Sequence, residues 1–149
     1  MGENVVASPS PWLLPGGAPT MSSPVRVFLC DDVAEIRVLL RFTVEEDPAL
    51  VIVGEAADGD GAVRGVVDTR ADVILLDVSM PGMDGLEAIG RIREESPDTR
   101  IVVLSGFSAS RLGEAALKAG ADRYLEKGEP GEVIRETIRR VVATRRVED

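Results

Sequence analysis

Residues 72–85 read DVILLDVSMPGMDG, a strand-like apolar run that leads directly into an acidic turn. The run is continuous rather than alternating, which is typical of a strand covered on both faces in a parallel sheet. Asp77 ends the run, and a proline and two glycines follow it, so the chain is predicted to turn away there. The stretch therefore predicts a buried parallel strand that delivers a carboxylate to its carboxyl end.

The same pairing of a strand and a helix occurs five times along the chain. Strands are predicted at residues 25–30, 50–56, 72–77, 100–104 and 122–126. Helices are predicted at residues 33–46, 61–69, 86–96, 111–119 and 132–145. Strands that alternate with helices indicate a parallel sheet with helices on both faces. The second and fifth strands are more polar than the others, which favours edge positions for them.

The helices are predicted from apolar residues that recur at helical spacing. The first helix is expected to turn Ile36, Leu39, Leu40, Thr43 and Val44 toward the core. The weaker second helix carries Val63, Val66 and Val67, and the last helix carries Ile134, Ile138, Val141 and Val142. Gly120 is expected to stop the fourth helix, because glycine adopts the left-handed conformation that ends helices.

Residues 1–24 differ in composition from the rest of the chain and hold five prolines. Prolines at this density interrupt both helix and sheet, which favours a disordered extension. Two alternatives stay open, namely a short docking motif at Trp12-Leu13-Leu14 and a translation start at Met21. Residues 25–145 are expected to form one domain, and residues 146–149 a short tail.

The composition excludes several classes of function. The chain has 149 residues, no histidine and one cysteine, so it has no His-based triad, no His-containing zinc site and no internal disulfide. It lacks the glycine-rich P-loop of nucleotide enzymes. A net charge of −9 argues against direct binding of nucleic acid, and no apolar run is long enough to span a membrane. A cytoplasmic protein is the expectation.

Polar side chains follow four of the predicted strands. In an open parallel sheet, the carboxyl ends of the strands meet at one rim, where ligands bind. Three carboxylates gathered there repel one another unless a cation lies among them, and hard oxygen ligands suit Mg²⁺. A carboxylate is also able to act as a nucleophile toward phosphorus. The rim is predicted to hold Asp31, Asp32, Asp77, Ser105 and Lys127.

Each of these residues also has a purely structural interpretation. Asp31 and Asp32 are plausible N-caps of the first helix, and Asp77 is a plausible turn residue. Ser105-Gly106 is consistent with a simple turn, and Lys127 with a solvated charge. The functional interpretation is favoured because the structural one requires suitable polar residues to occur by chance at four strand ends.

Taken in order, VFLCDD, VILLDVSMPGMDG, IVVLSG and AGADRYLEK resemble the receiver domain of two-component response regulators, over about residues 25–145. The resemblance implies a three-layer αβα fold. That fold is flavodoxin-like, a (βα)5 doubly wound sheet of five parallel strands in the order 2-1-3-4-5. The Lys127-Gly128 pair is similar to receivers of LuxR/NarL-type regulators, whereas many other receivers carry a proline after the lysine.

The resemblance also assigns roles to individual residues. Asp77 resembles the phosphoacceptor, and Lys127 the lysine that pairs with the phosphoryl oxygens. Ser105 and Tyr124 resemble the hydroxyl and the aromatic side chain that switch together. The Mg²⁺ ligands are expected to be Asp31, Asp32, Asp77 and the backbone carbonyl of Ser79.

The function that follows is a phosphorylation-dependent switch in a two-component phosphorelay. The expected partners are a sensor histidine kinase or phosphotransfer protein, a downstream protein effector, and a second copy through helix 4, strand 5 and helix 5. No enzymatic activity is expected beyond self-phosphorylation and self-dephosphorylation at Asp77. The chain ends soon after the last helix, so an output domain is not expected. The alternatives are a receiver fragment of a DNA-binding transcriptional regulator, a phosphorylation-independent binding module, and an aspartate-nucleophile phosphatase.

Overall fold

In the part of the chain that the structure describes, five parallel strands and five helices alternate, as the sequence predicts. The computed structural model describes residues 23–78, 85–106 and 109–144, with the side chains of 109–112 left out. The strands are β1 (Val25–Cys30), β2 (Leu50–Ala56), β3 (Val73–Asp77), β4 (Arg100–Ser105) and β5 (Arg123–Glu126). The helices are α1 (Ala34–Glu45), α2 (Gly59–Thr69), α3 (Gly85–Glu95), α4 (Ala109–Ala119) and α5 (Gly131–Ala143).

The strands lie in the order β2-β1-β3-β4-β5, and every neighbouring pair is parallel. The expected order is confirmed, and the more polar β2 and β5 are the two edges. The order reverses direction between β1 and β3, which are adjacent at the centre of the sheet. The crevice where ligands bind in such folds therefore opens at the carboxyl ends of β1 and β3.

Two apolar clusters, one on each face of the sheet, make the three layers. Alternate residues of β3 point to opposite faces, so Val73 and Leu75 belong to one cluster and Ile74 and Leu76 to the other. The first cluster is completed by α1 and α5, and the second by α2, α3 and α4. Burial on both faces explains why the β3 sequence is continuously apolar.

Helix α1 departs from the predicted inward face at one position. Leu40 and Val44 are buried, but Leu39 is 60% exposed. Successive residues on a helix are rotated by about 100°, so Leu39 and Leu40 do not both face the sheet. The prediction that Leu39 belongs to the core is wrong. Val67 on α2 is likewise more exposed than predicted.

The helix ends differ from the predicted ends by one or two residues, for local reasons. Helix α2 begins at Gly59 rather than residue 61, because the Asp58 carboxylate caps it by accepting a hydrogen bond from Gly61 N at 2.8 Å. Helix α4 stops at Gly120, as predicted, where φ is +123°. Residues 1–22 of the predicted extension 1–24, and the whole predicted tail 146–149, lie outside the described residues, so these domain boundaries stay predictions.

Candidate functional site

The ends of β1 and β3 bring three carboxylates together at the centre of the rim. One oxygen from each of Asp31, Asp32 and Asp77 lies within 4.8 Å of the others. Asp31 and Asp77 are buried, whereas Asp32 is exposed. Three acidic groups at this separation repel one another unless positive charge compensates them.

Part of that compensation comes from Lys127, the first residue after β5. Its Nζ lies 2.8 Å from Oδ2 of Asp31 and 3.4 Å from Oδ2 of Asp77. Burial alone would lower the pKa of Lys127, but the hydrogen bond to Asp31 and the charge of Asp77 outweigh it and raise this pKa. The ammonium group therefore stays charged, and three carboxylates face one lysine.

The backbone around the acidic residues is held from two sides. The Asp31 Oδ1 atom accepts a hydrogen bond from Val33 N at 2.9 Å, and its carbonyl oxygen accepts one from Arg37 Nη1 at 2.6 Å. Val33 occupies the N-cap position of α1, and its side chain makes no capping hydrogen bond. The interpretation of Asp31 and Asp32 as N-caps is therefore not what the structure shows.

Arg37 is a site residue that the sequence analysis missed. Besides holding the Asp31 carbonyl, it forms an ion pair with Glu55 near the end of β2, with Nε and Oε1 separated by 3.0 Å. A charged residue on an amphipathic helix is normally solvated, so its sequence carries no signal of this contact. The only feature of the sequence that could have indicated a partner for Arg37 is the carboxylate of Glu55 near the end of β2.

The sole cysteine lies immediately before the acidic pair, at the end of β1. Its Sγ donates to the carbonyl oxygen of Asp58 at 3.3 Å. Burial, followed by the nearby charges of Asp58, Asp77 and Asp31, raises the pKa of Cys30 to about 12. The thiol is therefore protonated at neutral pH, and Cys30 acts as an apolar packing residue.

Ser105 and Tyr124 lie on the far side of Asp77 from β1. Ser105 is fully buried at the end of β4, and its carbonyl oxygen accepts a hydrogen bond from Lys127 N at 2.9 Å. Tyr124 is half-buried in β5 and packs on the cluster formed with α2, α3 and α4. The structure thus places Ser105 at the rim and Tyr124 in the adjacent strand against the core, while their switching roles stay predictions. Ser79 lies outside the described residues.

Gly85 is the first residue of α3 and lies against the backbone of Val78, the residue after β3. A Cβ atom at this position would lie 2.4 Å from Val78 Cα and 2.6 Å from its carbonyl oxygen. Because these are backbone atoms, only glycine allows α3 to begin this close to the residue after Asp77. Packing therefore requires a glycine at this position, whereas the sequence suggests only that Gly85 belongs to a turn.

The donor set fits a hard divalent cation. All three groups offer carboxylate oxygens, the ligands that Mg²⁺ prefers, and the exposure of Asp32 keeps one side open to water and phosphate. Among the described helices, none is long and apolar enough to cross a bilayer.

Comparison with known proteins agrees with this arrangement. Residues 27–139 match the response regulator receiver domain family. The chain is 39% identical over 115 residues to the transcriptional regulatory protein LiaR of Bacillus subtilis, covering 77% of this chain and 54% of LiaR. It is 37% identical over 113 residues to the nitrate/nitrite response regulator protein NarL of Escherichia coli, covering 75% of this chain and 52% of NarL.

Among solved structures, the signal receiver domain of a NarL from Mycobacterium tuberculosis is similar. It has a TM-score of 0.79 and 29% identity, and the match covers 83% of this chain and all of that domain. The chain spans about half the length of the curated relatives it matches.

Proposed function

Because this chain belongs to the response regulator receiver domain family of two-component systems, we propose that it is a phosphorylation-dependent switch and that Asp77 accepts the phosphoryl group. The observation that carries the proposal is the geometry of the rim. Three carboxylates lie within 4.8 Å of one another, and a single lysine contacts two of them. A charge balance of this kind suits a site that takes up a cation and a phosphoryl group.

The proposed reaction uses Asp77 as the nucleophile. A carboxylate oxygen forms a bond to phosphorus, while the bond from phosphorus to the donor nitrogen or oxygen breaks and its electron pair leaves with the donor. Lys127 is already near Asp77 and stabilises the added negative charge. Water later attacks phosphorus, which restores the carboxylate and releases inorganic phosphate.

Mg²⁺, when bound, would neutralise charge on the phosphoryl oxygens. Asp31, Asp32 and Asp77 would hold it, together with the Ser79 carbonyl that the resemblance implies. Asp31 is fixed by hydrogen bonds from Val33 and Arg37, so this ligand is positioned before any cation arrives.

The proposed output of the switch is a change in the surface of α4, β5 and α5. Ser105 would turn toward the phosphoryl group, and Lys127 would shift from Asp31 toward it. Tyr124 packs on the cluster beneath α4 and would follow Ser105. An effector protein, or a second copy of the chain, would then contact the changed surface.

The phosphodonor is proposed to be a phosphohistidine on a partner kinase or phosphotransfer protein. The 149 residues hold no histidine, so a relay histidine has to lie outside them. Membership of the receiver family supports a kinase as this partner.

Incubation with acetyl phosphate and Mg²⁺, followed by intact mass measurement, tests the proposal. We expect one phosphate adduct in the parent protein and none in Asp77→Asn. Asp68→Asn is the matched control, because it removes an exposed carboxylate of α2, away from the rim. An adduct that persists in Asp77→Asn would contradict Asp77 as the acceptor. No adduct in a folded parent that also fails to bind Mg²⁺ would favour the phosphorylation-independent binding module instead.

The relatives favour a second proposal for the output, namely control of transcription. LiaR is named as a transcriptional regulatory protein, and this chain matches about half of its length. The test is the reading frame of the messenger RNA that encodes residues 23–144. A frame that continues into a helix-turn-helix segment supports this output, and a frame that stops at Asp149 contradicts it for this polypeptide.

A further inference from the structure

Helix α1 exposes an apolar patch next to the site. Val38, Leu39 and Phe42 are 54%, 60% and 69% exposed. Val38 and Leu39 lie four and three residues before Phe42, so both side chains are neighbours of the Phe42 ring and the three form one patch. We call them the α1 patch. The other large apolar side chains that are exposed in the described part of the chain occur singly, at Val33 before α1 and at Val67, Leu117 and Val133 on α2, α4 and α5.

The arginines beside the α1 patch are held by ion pairs and hydrogen bonds to residues outside the patch. On the β2 side, Arg37 and Arg41 both pair with Glu55. On the α5 side, Arg135 donates to the Thr43 carbonyl oxygen at 2.9 Å and pairs with Glu46 at 3.4 Å. The patch is thus an apolar centre surrounded by charged residues that are held in ion pairs, which is the usual composition of an interaction surface.

The amino-terminal segment of the chain has a matching composition. Its largest apolar side chains are consecutive, at Trp12, Leu13 and Leu14, and Glu3 is the only charged residue in 1–24. Tryptophan and leucine bury large areas against apolar surfaces. With so little charge of its own, the segment would not be repelled by the acidic residues around α1.

The point where β1 begins brings this segment within reach of the α1 patch. Val25 N donates to the Ala49 carbonyl oxygen at 2.8 Å, and Ala49 lies in the turn that connects α1 to β2. The chain therefore enters the fold beside the carboxyl end of α1, which is the end of the helix nearer to Phe42. The stretch from residue 12 to residue 25 spans up to about 40 Å in a proline-rich extended form, whereas α1 is only about 18 Å long.

We propose that residues 12–14 dock on the α1 patch of the same polypeptide. The contact would cover the exposed apolar face of α1, the helix that starts two residues after the acidic pair Asp31-Asp32. Tethering keeps the segment at a high local concentration, so a weak contact suffices to cover the patch. The contact is apolar, so the screening of charges by salt does not weaken it.

Fluorescence of Trp12 tests the docking directly, because it is the only tryptophan in the chain. The full chain is compared with a peptide of residues 1–22. We expect emission at shorter wavelength and weaker acrylamide quenching in the full chain than in the peptide. The double variant Leu39→Ser/Phe42→Ser is expected to lose both differences, at low and high salt alike. Both side chains are largely exposed, so the fold is retained, which circular dichroism checks.

The matched control is Leu117→Ser, which removes a half-exposed leucine from α4 and should leave the emission unchanged. Peptide-like emission in the full chain would overturn the proposal. Shifted emission that survives the double variant would also overturn it, since the segment would then lie elsewhere. Emission that reverts to the peptide value on dilution would show docking on a second copy, which contradicts the intramolecular contact.

Discussion

At the scale of single residues, Lys127 determines the charge balance of the rim. Its ammonium group contacts Asp31 and Asp77, and it is one of only two lysines in the chain. A phosphoryl group on Asp77 adds negative charge beside this ammonium, so Lys127 is expected to stabilise the transition state more than the resting site.

Replacing Lys127 with alanine should slow phosphate uptake at Asp77. We expect a loss of about 10²–10³-fold in the rate with acetyl phosphate, the usual effect of removing one charge-stabilising donor. The rate is measured from intact mass against time. Lys118→Ala, which removes the other lysine from the exposed side of α4, is the control and should keep the parent rate. Equal rates in the two variants would contradict this role.

Glu55 should contribute to stability in a pH-dependent way. Burial alone would raise its pKa, but hydrogen bonds from Arg41 and Arg37 outweigh this and lower the pKa from 4.5. A lowered folded-state pKa means that the ion pairs add stability above pH 4.5, and that this stability is lost as the pH falls through the folded-state value.

We therefore expect Glu55→Gln to be less stable than the parent at neutral pH, by about 0.2–1 kcal/mol for each ion pair lost. The difference should shrink as the pH falls below 4.5. Urea unfolding of both proteins across this range measures it, with Glu114→Gln on the exposed surface of α4 as the control. A difference that stays constant with pH would show that the charge of Glu55 is not the cause.

Most of the residues gathered at the rim were predictable, because parallel strands deliver their carboxyl ends to one edge. Asp31, Asp32, Asp77, Ser105 and Lys127 all lie around this edge in the structure. Arg37 was not predictable, since its contact with the Asp31 carbonyl oxygen depends on how α1 is rotated over the sheet. Helical periodicity defines a face but does not define this rotation.

At the scale of elements, α2 packs against the sheet through a glycine. A Cβ atom at Gly65 would lie 2.2 Å from Cζ of Phe28 in β1 and 2.5 Å from its Cε2. The ring is buried in the cluster formed with α2, α3 and α4, so it has little room to move. The sequence reveals the helix but not this contact, which joins elements far apart in the chain.

Gly65→Ala should destabilise the protein although alanine favours helix. Overpacking against Phe28 is expected to cost about 1–3 kcal/mol in the free energy of unfolding. Gly90→Ala on α3 is the matched control, because nothing lies within 4 Å of its Cβ position. That variant should gain about 0.5–1 kcal/mol from the lower entropy of alanine. Urea unfolding that shows the same effect for both would contradict the tight α2 contact.

The exposure of Leu39 shows where element-level prediction fails. Its spacing fits the apolar face of α1, yet the sheet contacts a narrower stripe through Ile36, Leu40 and Val44. An apolar residue at the flank of such a face lies on the core or in solvent according to what packs beside it. The sequence of one helix does not contain that information.

At the scale of the whole molecule, the order of strands is what assembles the site. Because β1 and β3 are adjacent, Asp31 and Asp77 meet at the centre of the rim, and β4 and β5 add Ser105 and Lys127. The strand alternation and the continuous apolar runs predicted a parallel sheet covered on both faces, whereas the order of its strands was implied by the resemblance to receiver domains. The structural role of Ser79 stays a prediction, because the residue lies outside the described ranges.

Mg²⁺ should stabilise the folded protein through the three carboxylates. At a free concentration about 100-fold above the dissociation constant, binding is expected to add about 2.7 kcal/mol to the free energy of unfolding. Thermal melting with Mg²⁺ and with EDTA measures the effect, and Asp68→Asn should respond like the parent.

In the same experiment, Asp32→Asn is expected to change the melting temperature in opposite directions relative to the parent in EDTA and in Mg²⁺. Removing one of three clustered carboxylates relieves repulsion, so this variant should melt above the parent in EDTA. It should also gain little from Mg²⁺, because a ligand is lost. A parent that gains nothing from Mg²⁺, or a variant that gains as much as the parent, would contradict a metal site at these residues.

The most direct test of the central claim is to locate the phosphoryl group. After reaction with acetyl phosphate and Mg²⁺, borohydride reduces an aspartyl phosphate to homoserine, which peptide mass mapping identifies at a single residue. The account predicts homoserine at Asp77 alone. Homoserine at Asp31 or Asp32, or at no residue of a folded protein that has been exposed to the donor, would contradict it.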